Sequence, residues 1–241
     1  MNESEEQARR KHSIEATYRE HHSATKRYGF SYRVEERGPQ LARWIGVGKT
    51  VLDLGCRDGS LTRYYAAGNR VTGVDIDRQA LAGARESLGI DTTWLDVSSV
   101  PLPFASGSFM VVVAAELLEH LPYPHTLVGE ILRILTPGGL LVGSVPNAFH
   151  WRKRLAFLRG YSAEDTTHLH WFSISALRQL LGGFSSVQIV PIGGIGGRML
   201  PIVPAQASGT LVRLWPQMLA NDLMFCAVAP ADNNAGERSS E

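Results

Sequence analysis

From residue 50 onward, short runs rich in apolar and β-branched residues alternate with stretches of helical periodicity. The runs are 50–54, 70–75, 92–95, 109–114, 139–145, 187–192 and 222–229. The helical patterns lie at 59–67, 77–88, 125–135 and 173–182. Strand–helix alternation is typical of βαβ units, in which helices cover both faces of a mostly parallel sheet. The sequence therefore predicts an α/β protein with one doubly wound sheet of about seven strands.

The charge balance and the cysteine content narrow the class of protein. Lys plus Arg number 24 and Asp plus Glu number 23, so the formal net charge of +1 gives no global attraction for nucleic acid. Cys56 and Cys226 form neither a disulfide framework nor a CxxC metal motif, and we expect two reduced thiols.

The polar N-terminus has no apolar signal core, and no apolar run approaches the ~20 residues of a membrane span. These features predict a cytoplasmic protein.

The chain divides into three predicted regions. Residues 1–40 are charge-dense, and Ile14 and Tyr18 recur at helical spacing, which predicts a helical extension over 1–45. This extension is either solvated or a lid over a site. The core domain is predicted over 46–230, with insertions on the substrate side at 146–172 and 193–220. The polar tail 231–241 is predicted to be disordered.

A glycine-rich turn follows the first predicted strand. The segment Val51–Leu61 reads V-L-D-L-G-C-R-D-G-S-L. Gly55 and Gly59 allow a sharp turn and a close approach to a ligand, which then faces N–H groups at the start of a helix. The turn does not match the dinucleotide fingerprint G-x-G-x-x-G, and it lacks the Gly-Lys-Ser/Thr of a P-loop. Both mismatches argue against a pyrophosphate ligand.

Two carboxylates follow the next two predicted strands. Asp75 ends the run 70–75, and Asp96 comes directly after the run 92–95. At the carboxyl end of a strand beside the glycine-rich turn, Asp75 can accept hydrogen bonds from both hydroxyls of a ribose. Asp96 can accept a hydrogen bond from an exocyclic amine such as that of adenine. Taken singly, each aspartate is equally well explained as a turn or N-cap residue.

Taken in order, the motifs resemble one enzyme family. They are V-L-D-L-G-C-R-D-G, V-T-G-V-D-I-D, W-L-D-V, L-P-F-A-S-G-S-F, E-L-L-E-H-L and L-T-P-G-G-L-L-V-G-S-V-P-N. The series is similar to that of the class I S-adenosylmethionine-dependent methyltransferases, in particular the small-molecule branch that includes ubiquinone-pathway enzymes. The resemblance is strong over about 50–145 and looser over 165–190. It implies a Rossmann-like sheet of seven strands whose last strand is antiparallel, with S-adenosyl-L-methionine as cofactor.

The resemblance also implies a set of cofactor-binding residues. Those along the methionine and ribose parts are Asp53, Gly55, Cys56, Arg57 and Gly59, with Glu116 and Leu117 near the methionine. Asp75 would bind the ribose diol and Ile76 would pack on the adenine, while Asp96 and Val97 would meet its amine edge. Arg57 departs from the family's G-x-G-x-G, so its side chain would have to point away from the cofactor or toward the substrate.

Candidate catalytic residues lie in the segment D-T-T-H-L-H-W-F-S. Transfer of a methyl group to a hydroxyl needs proton removal, and His168 and His170 are the candidate bases, with Asp165 nearby to orient one of them. Either histidine is equally well explained as a structural residue. A His-x-His pair with an aspartate could also ligate a metal, but no third ligand is evident, so no metal is predicted. Glu119-His120 matches the family's E-H-L and is structural or adjacent to the substrate. The residues predicted to contact the substrate are His120, Asn147, Trp151 and Trp171.

Two further segments concern the acceptor. Residues 149–160 combine Trp151, Leu155 and Leu158 with Arg152, Lys153, Arg154 and Arg159, a basic amphipathic pattern. Such a helix either touches anionic lipid or phosphate, or covers the core with a solvated face. The glycine-rich and apolar segment 193–220 could wall a pocket for a hydrophobic acceptor or form a dimer contact.

The sequence thus predicts an O-methyltransferase acting on a sugar, a glycolipid or a secondary metabolite. We expect no nucleic-acid partner and no transmembrane span, and leave open peripheral membrane contact and the choice of monomer or homodimer. The principal rival hypothesis is a non-catalytic S-adenosylmethionine-binding partner that regulates a biosynthetic enzyme. The glycine pattern disfavours a nicotinamide-dependent oxidoreductase, and the net charge disfavours a nucleic-acid methyltransferase.

Overall fold

A computed structural model of the protein describes residues 29, 31–161, 167–193 and 205–231. Its strands are β1 (Thr50–Leu54), β2 (Arg70–Asp75), β3 (Asp91–Trp94), β4 (Phe109–Ala115), β5 (Leu135–Pro146), β6 (Ser186–Ile192) and β7 (Asp222–Val228). Its helices are α1 (Val34–Ile45), α2 (Arg63–Ala66), α3 (Arg78–Leu88), α4 (Pro124–Ile134), α5 (Trp151–Leu158), α6 (Ile174–Leu180), α7 (Ala205–Leu214) and α8 (Pro216–Leu219). A 3₁₀ turn, Leu118–His120, follows β4.

All seven strands belong to one sheet in the order β3-β2-β1-β4-β5-β7-β6. β7 lies antiparallel between β5 and β6, and the other neighbouring pairs are parallel. The strand order reverses between β1 and β4, and ligands of open α/β sheets bind outside the carboxyl ends of the strands at such a reversal. The predicted α/β class, the number of strands and the antiparallel last strand are confirmed.

Two apolar layers cover the faces of the sheet, because successive side chains of a strand point to opposite faces. Val51, Val111 and Val113 pack on one face against Leu41 and Ile45 of α1. On the other face, the alternate residues of β1 and β4 pack against α4 and α6; the fully buried members of this layer include Leu52, Leu54, Val112, Leu127, Ile131 and Leu177. The nearly continuous apolar strands in the sequence are thus the strands buried on both faces.

The element boundaries differ from the sequence pattern by more than two residues in two places. The helix predicted over 59–67 is only the four residues of α2, since residues 55–62 form the loop that leaves the sheet. β5 begins at Leu135, directly after α4, although the pattern predicted helix to 135 and strand from 139. In both places the conformation of a loop or strand end depends on tertiary contacts, so the periodicity of the local sequence does not predict the boundary.

Several predictions fall outside the described residues. They include the helical spacing of Ile14 and Tyr18, most of the tail 231–241, and the apolar part of the insertion, 194–204. The rest of that insertion forms α7 and α8, and Val212 is buried against the core. Cys56 and Cys226 are both free thiols. Within the described ranges, no helix has the length and apolar character needed to cross a membrane.

Candidate functional site

A cavity of about 570 Å³ opens at the carboxyl ends of β1, β2 and β4. This volume is in the range of small-molecule sites, about 300–1,000 Å³. The loop after β1 and the 3₁₀ turn after β4 form its two sides, at the reversal of strand order. Of the predicted cofactor-binding residues, those that line the cavity are Gly55, Cys56, Arg57, Asp75, Ile76, Asp96, Val97, Glu116 and Leu117.

The two predicted carboxylates lie at one end of this cavity. Asp75 is 6% exposed and Asp96 is 8% exposed. Asp75 accepts backbone hydrogen bonds from Arg57 N (2.9 Å) and Asp77 N (2.8 Å), one on each oxygen. A carboxylate offers about four acceptor positions, so these two backbone bonds do not by themselves occupy all of them. Ile76 and Val97 supply apolar surface beside these two acids.

The neighbouring acid Asp77 has a different role. Its carboxylate accepts hydrogen bonds from Gln79 N and Ala80 N, which caps the N-terminus of α3. Side-chain capping of this kind stabilises a helix by about 1 kcal/mol. The motif V-D-I-D therefore contains one acid that lines the cavity and one that caps a helix, and only the fold distinguishes them.

Asp53 does not line the cavity, contrary to its predicted place along the cofactor. It is 3% exposed and accepts hydrogen bonds from Thr62 Oγ1 (2.6 Å) and Tyr65 Oη (2.8 Å). Burial raises the pKa of Asp53 to about 6, although these two hydroxyls oppose the shift. Asp53 thus connects β1 to α2 through these two hydrogen bonds, and it stabilises the glycine-rich turn that lies between them in sequence.

Gly59 also lies away from the cavity. Its φ is +77°, and a Cβ there would come within 2.5 Å of Leu88 Cδ1. The residue is a glycine because the loop turns in the left-handed region against α3, not because a ligand approaches it. Gly55, with φ +76°, does line the cavity beside Leu117.

Two residues other than glycine hold left-handed backbone conformations at the cavity. Arg57 has φ 49° and Glu116 has φ 54°. Such conformations cost about 1–3 kcal/mol each and cluster at functional sites. The side chain of Arg57 reaches Asp58, with Nη2 and Oδ1 3.7 Å apart. Arg57 therefore lines the cavity with its guanidinium held by a neighbouring carboxylate.

The opposite end of the cavity carries buried ionisable groups that surround Arg37. Arg37 is 2% exposed, and its Nη1 lies 3.4 Å from Glu116 Oε1 and 3.3 Å from Ser144 Oγ. Its Nη2 donates to Ser31 Oγ (3.1 Å) and to the carbonyl of Tyr32. Ser144 Oγ in turn donates to Glu116 (2.8 Å). The helix α1 thus places a cation at the carboxyl end of β4.

Two further carboxyl groups face the same space. Glu119 is 1% exposed and Asp222 is 3% exposed. Burial, with a smaller contribution from Glu116, raises the pKa of Glu119 well above its ordinary value. The same two causes raise the pKa of Asp222 to about 7, against the lowering effect of Arg37 and Arg33. Both carboxyl groups therefore hold a proton more readily than ordinary aspartate and glutamate side chains.

The predicted catalytic residues separate in the structure. His168 lines the cavity, and its ring lies 4.8 Å from the ring of His120 in an edge-to-face arrangement. His170 instead turns its Nε2 toward the carbonyl of Pro122 (3.3 Å) and does not line the cavity. Asp165 lies outside the described residues. Of the two histidines, His168 is the one placed to act on a ligand.

Three of the predicted substrate contacts lie elsewhere. Asn147 is fully buried, and its Nδ2 donates to carbonyls of Pro216, Gln217 and Ala220, which fastens α8 to β5. Trp151 packs beside His150 on α5, away from the cavity. Trp171 is 52% exposed and packs on Phe157. Only His120 of that set lines the cavity.

Sequence reasoning missed Arg37, Asp222 and Lys153 as residues of the cavity. Arg37 is one of many charged residues in the N-terminal segment, and no motif around it in the sequence distinguishes it as a residue of the cavity. Asp222 could have been found, because an antiparallel strand begins at the edge where parallel strands end. A carboxylate that opens an antiparallel β7 must lie beside the residues that follow β4 and β5.

The cavity suits the cofactor that the resemblance implies. One end combines two buried carboxylates with aliphatic side chains, which fits a ribose diol and an adenine ring. Gly55 lines the cavity beside Leu117, and because it has no side chain, its backbone is open to a ligand in the middle of the cavity. The far end offers hydrogen-bonding groups and an acidic corner where a cationic or polar group can lie. S-adenosylmethionine is a nucleoside joined to an amino acid, so its nucleoside part suits the first end of the cavity and its amino-acid part suits the far end.

Comparison with known proteins places the chain in a recognisable group. A family model described as "Methyltransferase domain" matches residues 25–184. Ubiquinone biosynthesis O-methyltransferase of Nitrosococcus oceani is 39% identical over 106 residues, which are 42% of this chain and 44% of that protein. 2-Methyl-6-phytyl-1,4-hydroquinone methyltransferase of Synechocystis sp. is 31% identical over 163 residues, which are 64% of this chain and 47% of that protein.

Solved structures share the fold. A SAM-dependent methyltransferase from Archaeoglobus fulgidus matches with a TM-score of 0.60 and 18% sequence identity. The match covers 81% of this chain and 94% of that one. The chain spans about half the length of the curated relatives it matches.

Proposed function

The chain belongs to the methyltransferase-domain family, and on that premise we propose that it transfers a methyl group from S-adenosylmethionine to a hydroxyl group of a small molecule. One observation carries the proposal. A single cavity has the acids Asp75 and Asp96 at one end and the cluster of Glu119, His120 and His168 at the other. The first end suits a nucleoside, and the second suits an acceptor that must lose a proton.

The chain's own residues bind and orient both reactants in this proposal. Asp75 accepts hydrogen bonds from the ribose hydroxyls, Asp96 accepts one from the adenine amine, and Ile76 and Val97 pack on the ring. When bound, S-adenosylmethionine supplies a methyl group on a positively charged sulfur, which leaves as a neutral thioether when the methyl group moves to the acceptor oxygen. Positioning the two reactants supplies much of the rate of such an in-line displacement.

The acceptor's hydroxyl lies, in this proposal, against the corner formed by Glu119, His120 and His168. His168 and His120 line the cavity, while Glu119 is a fully buried carboxyl beside them. Groups that promote proton loss in the transition state contribute about 10²–10⁴-fold to the rate. The proposed acceptor is a sugar, a glycolipid or a secondary metabolite. Because curated relatives are named for quinone pathways, aromatic compounds with ring hydroxyl groups are further candidate acceptors.

Replacing the two predicted histidines separately tests the acceptor end. We expect His168→Ala to lower kcat by about 10²–10⁴-fold, because it removes a group that acts on the hydroxyl proton. His170→Ala should lower kcat by less than about tenfold, since its ring is turned to the Pro122 carbonyl. The assay measures S-adenosylhomocysteine release against a panel of catechols, hydroquinones, sugars and glycolipids.

The exposed histidine His125 on α4 supplies the matched control, and His125→Ala should match the wild type. Affinity for S-adenosylhomocysteine should be unchanged in all three variants. Equal losses in His168→Ala and His170→Ala would contradict the assigned site. Tight S-adenosylhomocysteine binding without turnover on any acceptor would favour a non-catalytic binding partner instead.

A surface beside the cavity supports a lipid-linked or apolar acceptor. No residue of α5 is fully buried, and Leu158 at its end is 84% exposed. The rings of Phe157 and Trp171 lie with centroids 5.4 Å apart and planes tilted by 44°, and both remain partly exposed. The basic residues of this surface are Arg152, Lys153, Arg154 and Arg159, and Lys153 reaches the cavity. Apolar and basic groups together favour contact with an anionic bilayer.

We expect the protein to co-sediment with vesicles that contain phosphatidylglycerol, and less with phosphatidylcholine alone. Each basic residue near an anionic surface contributes about 1 kcal/mol, so replacing Arg152, Arg154 and Arg159 by Gln should weaken binding by roughly a hundredfold. Leu158→Asp should weaken it as well. Val47→Asp, a change at an exposed apolar residue before β1, serves as control. Binding unaffected by the arginine changes would exclude this contact.

A further inference from the structure

Glu119 is a buried carboxyl group that lacks a hydrogen bond among the described residues. It is 1% exposed, and neither Oε1 nor Oε2 has a hydrogen-bond partner within the described part of the chain. A buried polar group without a partner costs several kcal/mol in general, and each such group needs an explanation. Its side chain borders the cavity, so a partner that binds there can satisfy it.

His120 presents a lone pair to this carboxyl group. Its Nδ1 lies 3.2 Å from the carbonyl oxygen of Thr167, which can only accept a hydrogen bond. Nδ1 must therefore carry the hydrogen, and in the neutral ring Nε2 holds the lone pair. Nε2 lies 3.9 Å from Glu119 Oε1. A histidine that ligates a metal commonly donates its other N–H to a backbone carbonyl in this way.

His168 brings a third donor to the same place. One ligand atom from each of Glu119, His120 and His168 lies within 4.8 Å of the others. Three atoms at the usual distance of about 2.0–2.2 Å from one ion are about 3–4 Å apart, so small side-chain rotations bring them onto a single ion. The set comes from two separate segments, the 3₁₀ turn after β4 and the loop before α6.

We infer that Glu119, His120 and His168 form a binding site for a divalent transition-metal ion, with Zn²⁺ as the expected occupant. Two imidazoles and one carboxylate are a known ligand set for a zinc site that keeps a fourth position open. The open position faces the cavity, where the acceptor binds in the proposed function. No third ligand for the pair His168 and His170 is evident along the chain, so no metal is predicted from the sequence, because Glu119 and His120 are distant from that pair in sequence.

Such an ion would act on the acceptor hydroxyl directly. An acceptor oxygen bound to the ion would lose its proton to solvent water in the open cavity at a much lower pH than a free hydroxyl. The resulting oxyanion would then take the methyl group, and the sulfur would leave as a neutral thioether, so no separate protein base would be needed. His168 is then a ligand of the ion rather than the group that takes the proton. This role rests on the proposed function, whereas the metal site itself can be tested without any acceptor.

The test is calorimetric titration of Zn²⁺ into the full chain after removal of bound metal with EDTA. We expect one site of micromolar or tighter affinity, and a characteristic visible absorption when Co²⁺ is the probe. Glu119→Gln, His120→Ala and His168→Ala should each weaken that site by more than the roughly 10- to 100-fold lost with an outer-shell partner. His125→Ala, which removes an exposed histidine outside the cluster, should leave it unchanged, so that a loss confined to the three cluster variants assigns the site.

S-Adenosylhomocysteine affinity is measured on the same samples as a control for folding. Retained affinity in a variant that has lost the tight Zn²⁺ site supports the inference. A wild type that binds S-adenosylhomocysteine but no tight equivalent of Zn²⁺ or Co²⁺ would overturn the metal site and leave the proposed function intact. A tight metal site without S-adenosylhomocysteine binding would overturn the proposed function instead. Zn²⁺ binding that Glu119→Gln and His168→Ala leave unchanged would also overturn the inference.

Discussion

An Asp75→Ala variant is expected to bind S-adenosylhomocysteine about a hundredfold to a thousandfold more weakly than the wild type. Hydrogen bonds to a charged group contribute about 1.5–3 kcal/mol each, and Asp75 is assigned two, one to each ribose hydroxyl. Two such bonds at the lower end of that range sum to about 3–4 kcal/mol, which corresponds to this change in the dissociation constant, since 1.4 kcal/mol is tenfold. Isothermal titration measures the loss.

Asp75 also accepts two backbone hydrogen bonds, so its loss affects the loop after β1 as well as the ligand. Two aspartates nearby separate these effects. Asp77→Ala removes the cap of α3 and should lower stability by about 1 kcal/mol with little change in affinity. Asp91→Ala, at an exposed position that opens β3, should change neither. A folded Asp75→Ala protein that kept its affinity within a few fold would refute the assigned nucleoside end.

Replacing Arg37 by Met is expected to lower the free energy of unfolding by about 3–5 kcal/mol. Arg37 is buried, and its guanidinium lies between Glu116, Ser144 and the backbone of the N-terminal segment. Removing Arg37 leaves the Glu116 carboxylate, whose side chain is 22% exposed, without its cation, and it removes the hydrogen bonds to Ser31 and Tyr32. Loss of one partner from a largely buried pair, together with these bonds, costs this much. For a chain of this size the midpoint of thermal unfolding should fall by roughly 10 °C, at about 2–4 °C per kcal/mol.

Arg43 on the same helix provides the matched control. It is exposed, so Arg43→Met should change stability by no more than about 0.5 kcal/mol. The double variant Arg37→Met/Glu116→Gln should recover part of the loss, because it removes the unpaired carboxylate as well. Urea denaturation measures all three. A single Arg37→Met variant within about 1 kcal/mol of the wild type, on the order of ordinary surface changes, would show that the pair is not needed.

The sequence predicts the sheet well because its signals are local. Apolar runs such as 109–114 are buried on both faces, and a strand in that position needs little beyond its own composition. The glycine at position 55 likewise marks the end of β1, because few other residues accept its backbone conformation. These signals fix the edge of the sheet where the cavity lies.

The roles of individual polar residues were harder to predict. Asp53 and Asp75 both belong to strands next to the glycine-rich turn, yet one holds α2 and the other lines the cavity. His168 and His170 are two residues apart, yet only His168 lines the cavity. Each pair has the same local chemistry, and the direction of each side chain depends on the elements that pack around it.

What the sequence determined by itself is therefore the sheet, the position of the ligand cavity and the two carboxylates that follow β2 and β3. Tertiary structure alone brought Arg37 from α1 and Asp222 from β7 to the residues after β4, and joined Glu119 and His120 to His168. The physical reason is the range of the forces involved. Backbone conformation and burial periodicity are set by near neighbours in the chain, whereas a cluster of ionisable side chains exists only after distant segments have packed together.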